Sequence, residues 1–391
     1  MSGIYGDLTE GERAFLVAVS VFVGGFTFEG ARHISAAADI DEVPFDEMVV
    51  DLVRRAAIVE AGVPARYNLA DDVRRDALED LQASPEYDHI REKHLDWCLS
   101  YAEQGAAALD GPGQKAWLEA LESEHDNFRA ALEWGTALRD CEAALGLAAA
   151  LGRFWEVRSH VAEGRRWLAR ALGNNPGAPP MVRARAASSA GLLAFRGRDY
   201  AAARTGYEES LALHWSVDDR LGATGVLHAL GNVAFQQRDW EEGGRLFEES
   251  LDIGRQLDDD RVIAASLTNL GAVAEVKGDH RSARSLYDEA LALWRTLGDS
   301  YNAASVLANL AEVALAEHDL AGARALASDA LEARRLVGDK SGVALVLRLL
   351  SVVAMKQRDV DAARSFEAQR RQLVGETEGS WLARLRRRFA P

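Results

Sequence analysis

Two asparagines 40 residues apart, Asn269 and Asn309, have the side chains whose chemistry is most suggestive in this sequence. Each stands two positions before a small residue, Gly271 or Ala311, in a stretch of helical composition. A carboxamide can donate to and accept from a peptide bond at the same time, so this pair suits recognition of an extended peptide backbone. Hydrogen bonds from both amides to a neighbouring helix are the alternative, and the sequence leaves the two open.

No residue pattern predicts catalysis. A nucleophile elbow, an H-E-x-x-H zinc pair and clustered carboxylates are all missing from the sequence, so we expect no enzyme activity, no metal site and no cofactor. His280 and His318 stand beside aspartates in successive turns, but each offers one nitrogen about a repeat apart, which favours turn positions over metal ligation. Three other histidines are expected to lie on helix surfaces with their hydrogen bonds satisfied: His89, His94 and His125.

Charge and composition narrow the class of protein. The 391-residue chain has 45 basic and 61 acidic side chains, a formal charge of -16 that argues against nucleic acid and anionic membranes as partners. Only eight prolines and abundant Ala, Leu, Arg and Glu predict a mostly helical fold.

Cys98 and Cys141 are predicted to be buried free thiols. The uncharged run from Ala14 to Phe28 is short and interrupted by glycines, so we expect a core helix plus turn and a cytoplasmic protein.

A 40-residue repeat organises the chain. One small residue per copy marks its phase, at Gly191, Gly231, Gly271, Ala311 and Ser351. Twelve residues later a second small residue recurs, at Ala203, Gly243, Ala283, Ala323 and Ala363, and three copies add an aromatic residue four positions further on, at Tyr207, Phe247 and Tyr287. With an earlier copy from Gly152, the pattern predicts six antiparallel helix pairs that approach at the small residues. The aromatic residues are expected to fill the space between successive pairs.

Aspartates fall where the helices of each pair must begin. One set is predicted to cap the second helices: Asp199, Asp239, Asp279, Asp319 and Asp359. Another is predicted to cap the first helices: Asp219, Asp299 and Asp339.

The leucine, small residue, second small residue and aromatic of each copy resemble the tetratricopeptide consensus, in its longer form. This resemblance implies that the first helix of each repeat faces a groove that binds a peptide, protein segment or small ligand. The candidate groove residues in this sequence are His228, Asn232, Thr268, Asn269, Glu275, Asn309, Glu312 and Arg348, with Phe195, Phe235 and Lys356 further along.

Residues 8 to 82 follow a different pattern. The sequence predicts a helix that begins after Thr9, a second after Thr27 and a third over 45–55, then two short strands at 58–60 and 66–69 and a helix over 71–81. This is the element order of a winged helix. The third helix carries Asp46, Glu47 and Asp51 against two terminal arginines, so DNA contact is not expected.

Residues 8 to 82 also resemble a known family. The runs LTEGERAFLVAVSVFVGGFTFEGA, VVDLVRRAAIVE and RYNLADDVRRDALEDL resemble the winged-helix domain of bacterial signal-transducing ATPases with numerous domains, of the AfsR-like and LuxR-like class. REKHLDWCLSYAE and AWLEALESEHDNFRAALEW resemble the linker that joins that domain to the repeats. No G-x-x-x-x-G-K-[ST] motif occurs, so the family's ATPase module is missing from this sequence, which suggests an excised part or a stand-alone relative.

The predicted fold class is therefore all-α with a minor β-hairpin: an α-solenoid of tetratricopeptide repeats preceded by a winged-helix-like domain. The predicted domains are a winged-helix-like domain over 1–83, a helical linker over 84–139 and the repeat superhelix over 140–391, closed by a capping helix around Trp381 and Leu385. The predicted function is that of a non-enzymatic sensor and interaction module in a bacterial regulator. The alternative is a constitutive scaffold that tethers proteins.

Overall fold

The computed structural model describes residues 3–37, 45–61, 66–109, 113–139 and 141–374. It divides into two compact units, Met1–Asp218 and Asp219–Pro391. The capping helix proposed around Trp381 lies outside the described residues, and the domain boundaries proposed at 83 and 139 stay predictions.

The first unit begins with the predicted order of three helices, a hairpin and a helix. These elements are a short α1 (Gly3–Gly6), followed by α2 (Glu10–Val19), α3 (Phe28–Ala37), α4 (Phe45–Arg54), β1 (Ile58–Ala61), β2 (Arg66–Leu69) and α5 (Asp71–Ala83). Thr9 and Glu12 form a reciprocal capping box that starts α2. The strands β1 and β2 pair antiparallel, with Ile58 opposite Leu69. Gly25 has a φ of +89°, and a Cβ at this position would lie 2.8 Å from the Tyr67 carbonyl oxygen, so the predicted turn after α2 requires a residue without a side chain.

The rest of the first unit is helical. It comprises α6 (Tyr87–Ala108), α7 (Gln114–Ser123), α8 (His125–Gly135), α9 (Glu142–Ala150), α10 (Gly152–Val157), α11 (Val161–Asn174), α12 (Pro180–Arg196) and α13 (Tyr200–Ser216). The earliest repeat copy is present as a pair, with its first helix split at Leu151 into α9 and α10. One hydrophobic core runs through the unit, and Phe22 contributes to it by packing edge-on against Trp97 of α6, with ring centroids 5.3 Å apart.

The second unit contains four regular helix pairs. They are α14 (Arg220–Gln236) with α15 (Trp240–Gln256), α16 (Asp260–Val276) with α17 (His280–Thr296), α18 (Ser300–Ala316) with α19 (Leu320–Leu336), and α20 (Lys340–Lys356) with α21 (Val360–Val374). The aspartate caps are confirmed; Asp239 Oδ1, for example, accepts a hydrogen bond from the Glu242 amide at 3.1 Å. Asp259 caps α16 in the same way, which the sequence interpretation missed.

Each aromatic ring lies on the glycine of its own pair: Tyr207 on Gly191, Phe247 on Gly231 and Tyr287 on Gly271. The predicted role of these rings between successive pairs stays a prediction. A side chain on any of these glycines would overlap the ring, which explains the coupling of glycine with an aromatic residue. The next copy has alanine at both positions, Ala311 and Ala327. The larger first residue is thus accompanied by a smaller second residue.

Candidate functional site

The first helices of the second unit lie side by side. Helix α14 contacts α16, α16 contacts α18, and α18 contacts α20. We call the surface that these four helices share the first-helix face. All eight candidate groove residues belong to its helices, and their exposure separates those that a ligand could reach from those that the fold already uses.

Three candidates are exposed on the first-helix face: Asn232 on α14, Glu312 on α18 and Arg348 on α20. Arg348 is three residues from the exposed Leu345 and four from the exposed Val352, which is the spacing of one stripe along a helix. On α20 the stripe is apolar around the arginine, with Leu345 61%, Val352 41% and Met355 49% exposed. Lys356 is also exposed at the end of this helix. The α20 stripe thus offers a cation in an apolar setting.

Glu275, Asn309 and Glu312 come together around a tyrosine of α17. The Tyr287 hydroxyl donates to Glu275 Oε2 at 2.9 Å. Burial raises the pKa of the Glu275 carboxyl, with a smaller contribution from the negative charge of Glu312. Burial also raises the pKa of Tyr287, whereas hydrogen bonding from Asn309 opposes the shift. Asn309 of α18 therefore lies next to Tyr287 of the preceding helix pair.

His228 links two first helices through a chain of hydrogen bonds. Its Nε2 lies 2.9 Å from the hydroxyl of Ser266 on α16, and that hydroxyl donates to Ser250 of α15 at 3.2 Å. Burial lowers the pKa of His228 to about 4, so the ring is neutral at pH 7. These hydrogen bonds tie α14 to α15 and α16.

Thr268 and Asn269 are half-buried on α16. The Thr268 hydroxyl donates to the Ala264 carbonyl at 2.7 Å and accepts from Trp294 Nε1 at 3.2 Å. Both of its hydrogen-bonding functions are therefore engaged within the fold. Asn269 occupies the same repeat position as Asn309. The structure thus places Glu275, Asn309 and Glu312 in one cluster and leaves Asn232 and Arg348 on separate helices.

Two histidines predicted to lie on helix surfaces are buried. His94 is 0% exposed in the core of the first unit and His125 is 6% exposed, whereas His89 is exposed as predicted. The prediction was wrong for these two because each imidazole packs perpendicular to an aromatic ring, Phe22 for His94 and Phe154 for His125. His318 lies in a turn with a φ of 64°, as predicted, and His280 is the first residue of α17.

Sequence interpretation also missed a cluster in the first unit. Glu122, His125 and His160 place potential ligand atoms within 4.8 Å of one another. Its sequence signal is a Glu-x-x-His run at 122–125 followed by a His-x-x-Glu run at 160–163. Glu122 and His125 lie on either side of the α7–α8 junction, and His160 precedes α11, so only their close spacing within each run was visible in the sequence. Cys98 and Cys141 are free, and only Cys98 is fully buried.

Comparison with known proteins supports the repeat assignment. Residues 222–296, which span α14 to α17, match the family model of the tetratricopeptide repeat. Two proteins named as candidate HTH-type transcriptional regulators, from Mycobacterium tuberculosis and Mycobacterium bovis, are 33% identical to this chain over 163 residues. The match covers 41% of this chain and 18% of each relative, so the chain aligns with less than a fifth of their length.

Solved structures share the fold at low identity. A signal-transduction ATPase with numerous domains and a tetratricopeptide-repeat sensor, from Pyrococcus horikoshii, has a TM-score of 0.54 at 14% identity, covering 96% of this chain and 58% of that one. A Rap protein complexed with Competence and Sporulation Factor has a TM-score of 0.53 at 14% identity, covering 72% and 76%. NprR in complex with its cognate peptide NprX has a TM-score of 0.50 at 14% identity, covering 76% and 84%.

Among the described helices, none combines the length and apolar composition that a membrane span needs. The 40-residue geometry and the matched family model together show that this chain is an all-α protein with a small β-hairpin, built around an α-solenoid of tetratricopeptide repeats.

Proposed function

We propose that the chain is a non-enzymatic sensor module of a bacterial signalling or transcriptional regulator, and that the first-helix face binds a peptide or protein segment. The observation that carries the proposal is the exposed stripe on α20, where Arg348 stands among Leu345, Val352 and Met355. Exposed apolar side chains around a cation form a surface suited to a ligand with an apolar anchor and a carboxylate. Two structures of similar fold contain a bound peptide or factor, according to their names.

The charge of the face varies along the repeats. Exposed Arg348 and Lys356 make the α20 end basic, whereas Glu312 and the half-buried Glu275 make the region around α16 and α18 acidic. An extended peptide that places an acidic residue at α20 would meet the basic side chains of that helix and keep this residue away from Glu275 and Glu312. The difference in charge between the two ends of the face would therefore fix the direction of the peptide. Asn269 and Asn309 are proposed to bond its backbone, with Asn309 exchanging its interaction with Tyr287 for the peptide.

The test is selection of short peptides against the full chain, followed by titration calorimetry with single variants. Loss of a charged hydrogen-bond partner costs about 1.5–3 kcal/mol, so Arg348→Glu should weaken the selected acidic peptides at least about tenfold. Asn269→Ala and Asn309→Ala should weaken them as well. Arg295→Glu is the matched control, because Arg295 is an exposed arginine on the second helix α17. Peptides that bind the Arg348 and asparagine variants as tightly as the unaltered chain would refute the assignment of this face.

A constitutive scaffold is the alternative. A sensor gains stability from its small ligand by mass action, about 2.7 kcal/mol at 100 times Kd. A scaffold gains stability only from a folded partner protein and not from a short peptide. Thermal midpoints measured with the selected peptides therefore separate the two functions.

We propose that the winged-helix-like segment does not contact DNA, although the mycobacterial relatives are named as HTH-type regulators. The arginines near α4 are held by carboxylates: Arg32 lies 2.9 Å from Asp46, Arg54 3.1 Å from Asp51 and Arg55 2.7 Å from Glu12. Arginines that are paired with carboxylates neutralise few DNA phosphates, so their binding would release few counterions from the DNA. Salt-independent or undetectable binding of the full chain to duplex DNA is the expected result.

A further inference from the structure

We infer that the first unit contains a site for a divalent transition-metal ion of the zinc class, formed by Glu122, His125 and His160. Glu122 stands near the end of α7, His125 begins α8, and His160 is the N-cap residue of α11. Two imidazoles and one carboxylate form a ligand set that suits zinc better than magnesium or calcium. The site is separate from the first-helix face of the second unit and does not depend on the proposed peptide binding.

The distances suit one small ion. Glu122 Oε1 lies 3.2 Å from His160 Nε2 and 3.8 Å from His125 Nδ1. Ligands at zinc bond lengths of about 2.0–2.2 Å in a tetrahedron are roughly 3.3–3.6 Å apart. The ring centroids of His125 and His160 are 4.5 Å apart, so a nitrogen of each ring lies close to one shared position. A water molecule would complete the tetrahedron.

His125 has the surroundings of a metal-bound histidine. Its side chain is 7% exposed, and within the described part of the chain its Nε2 has no hydrogen-bond partner. That nitrogen nevertheless lies 3.4 Å from Glu163 Oε1. An ion on Nδ1 would fix the proton on Nε2, which could then donate to Glu163, the arrangement of carboxylate, histidine and zinc found in metal sites.

Neighbouring groups hold the proposed ligands in place. Arg129 makes two hydrogen bonds of 2.7 Å to the Glu163 carboxylate, and this pairing lowers the pKa of Glu163 to about 2. Arg158 Nε lies 3.3 Å from Glu122 Oε2, which leaves Oε1 facing the histidines. The Phe154 ring contacts both imidazoles, with centroids 5.3 and 5.7 Å away, and provides an apolar wall. These contacts correspond to the outer shell that orients ligands in known metal sites.

The test uses the full chain and zinc chloride alone. After removal of metal with a chelator, titration calorimetry and metal analysis should show one zinc ion per chain, with no binding of magnesium at the same concentration. Glu163→Gln should weaken zinc about 10- to 100-fold, as expected for an outer-shell carboxylate, and His160→Ala should weaken it more. His160 is partly exposed, so its replacement is compatible with folding, which circular dichroism would check. His89→Ala, at an exposed histidine of α6, is the matched control and should bind as the unaltered chain does.

Cobalt provides a second readout. In place of zinc it should give the intense visible absorption of a tetrahedral site in the unaltered chain, and only the weak absorption of an octahedral ion in His160→Ala. The inference is overturned if the unaltered chain takes up no zinc, or if His160→Ala and His89→Ala bind it equally. A weak octahedral cobalt spectrum in the unaltered chain would also overturn it.

Discussion

Replacing Gly231 by alanine should fail to stabilise the α14–α15 pair, although alanine is the better helix former. A Cβ at Gly231 would lie 2.6 Å from Cζ and 2.9 Å from Cδ1 of Phe247, well inside the ~3.5–4.0 Å at which carbon atoms pack. The Phe247 side chain is 1% exposed and cannot move into solvent. Gly225 is the matched control on the same helix, because a Cβ there would meet nothing within 4 Å.

The magnitudes follow from two opposing effects. Alanine gains about 1 kcal/mol over glycine in a helix interior, and overpacking a filled core costs about 1–3 kcal/mol. Gly225→Ala should therefore stabilise α14 by about 1 kcal/mol, whereas Gly231→Ala should range from neutral to about 2 kcal/mol destabilising. The difference between the two variants, about 1–3 kcal/mol, isolates the contact with the Phe247 ring.

Hydrogen exchange measured on α14 and α15 is the appropriate assay, because repeat arrays open locally and a single unfolding midpoint averages over the repeats. Phe247→Ala alone should cost about 3–5 kcal/mol. In the double variant the overpacking disappears, so its cost should fall below the sum of the single costs by about 1–3 kcal/mol. The chain already uses this small pair at Ala311 and Ala327. Additive costs, or a Gly231→Ala as stabilising as Gly225→Ala, would refute the reasoning.

Two further predictions concern titration and helix capping. Because burial lowers the pKa of His228 to about 4, the unfolded chain binds a proton there more readily between about pH 6.5 and 4, and up to about 3 kcal/mol of stability is lost as the pH falls through that window. His228→Gln should flatten this part of the stability curve measured by urea unfolding, and curves that stay parallel would contradict the assignment. Asp239→Ala should destabilise α15 by about 1 kcal/mol in hydrogen exchange, because the Glu242 amide loses its acceptor. The exposed Asp252→Ala on the same helix should have little effect, and an equal loss in both variants would contradict the capping role.

Features that repeat along the chain could be predicted from the sequence alone. The period of 40, the helix starts at the aspartates and the close approach at Gly231 and Gly271 all follow from local rules applied in register. The helix start after Thr9 and the short strands at 58–60 and 66–69 were also predicted, because cap and turn residues act on the backbone within a few positions of themselves.

Only the tertiary structure decided which polar groups are available for function. Asn269 and Asn309 are equivalent in sequence, but Asn309 stands beside Tyr287, whose hydroxyl bonds Glu275 from another helix. His125 and His160 are 35 residues apart and meet through the packing of α8 against the start of α11. A repeat pattern fixes the direction of a side chain from its helix, whereas its burial, partners and pKa depend on what the neighbouring helix places opposite it.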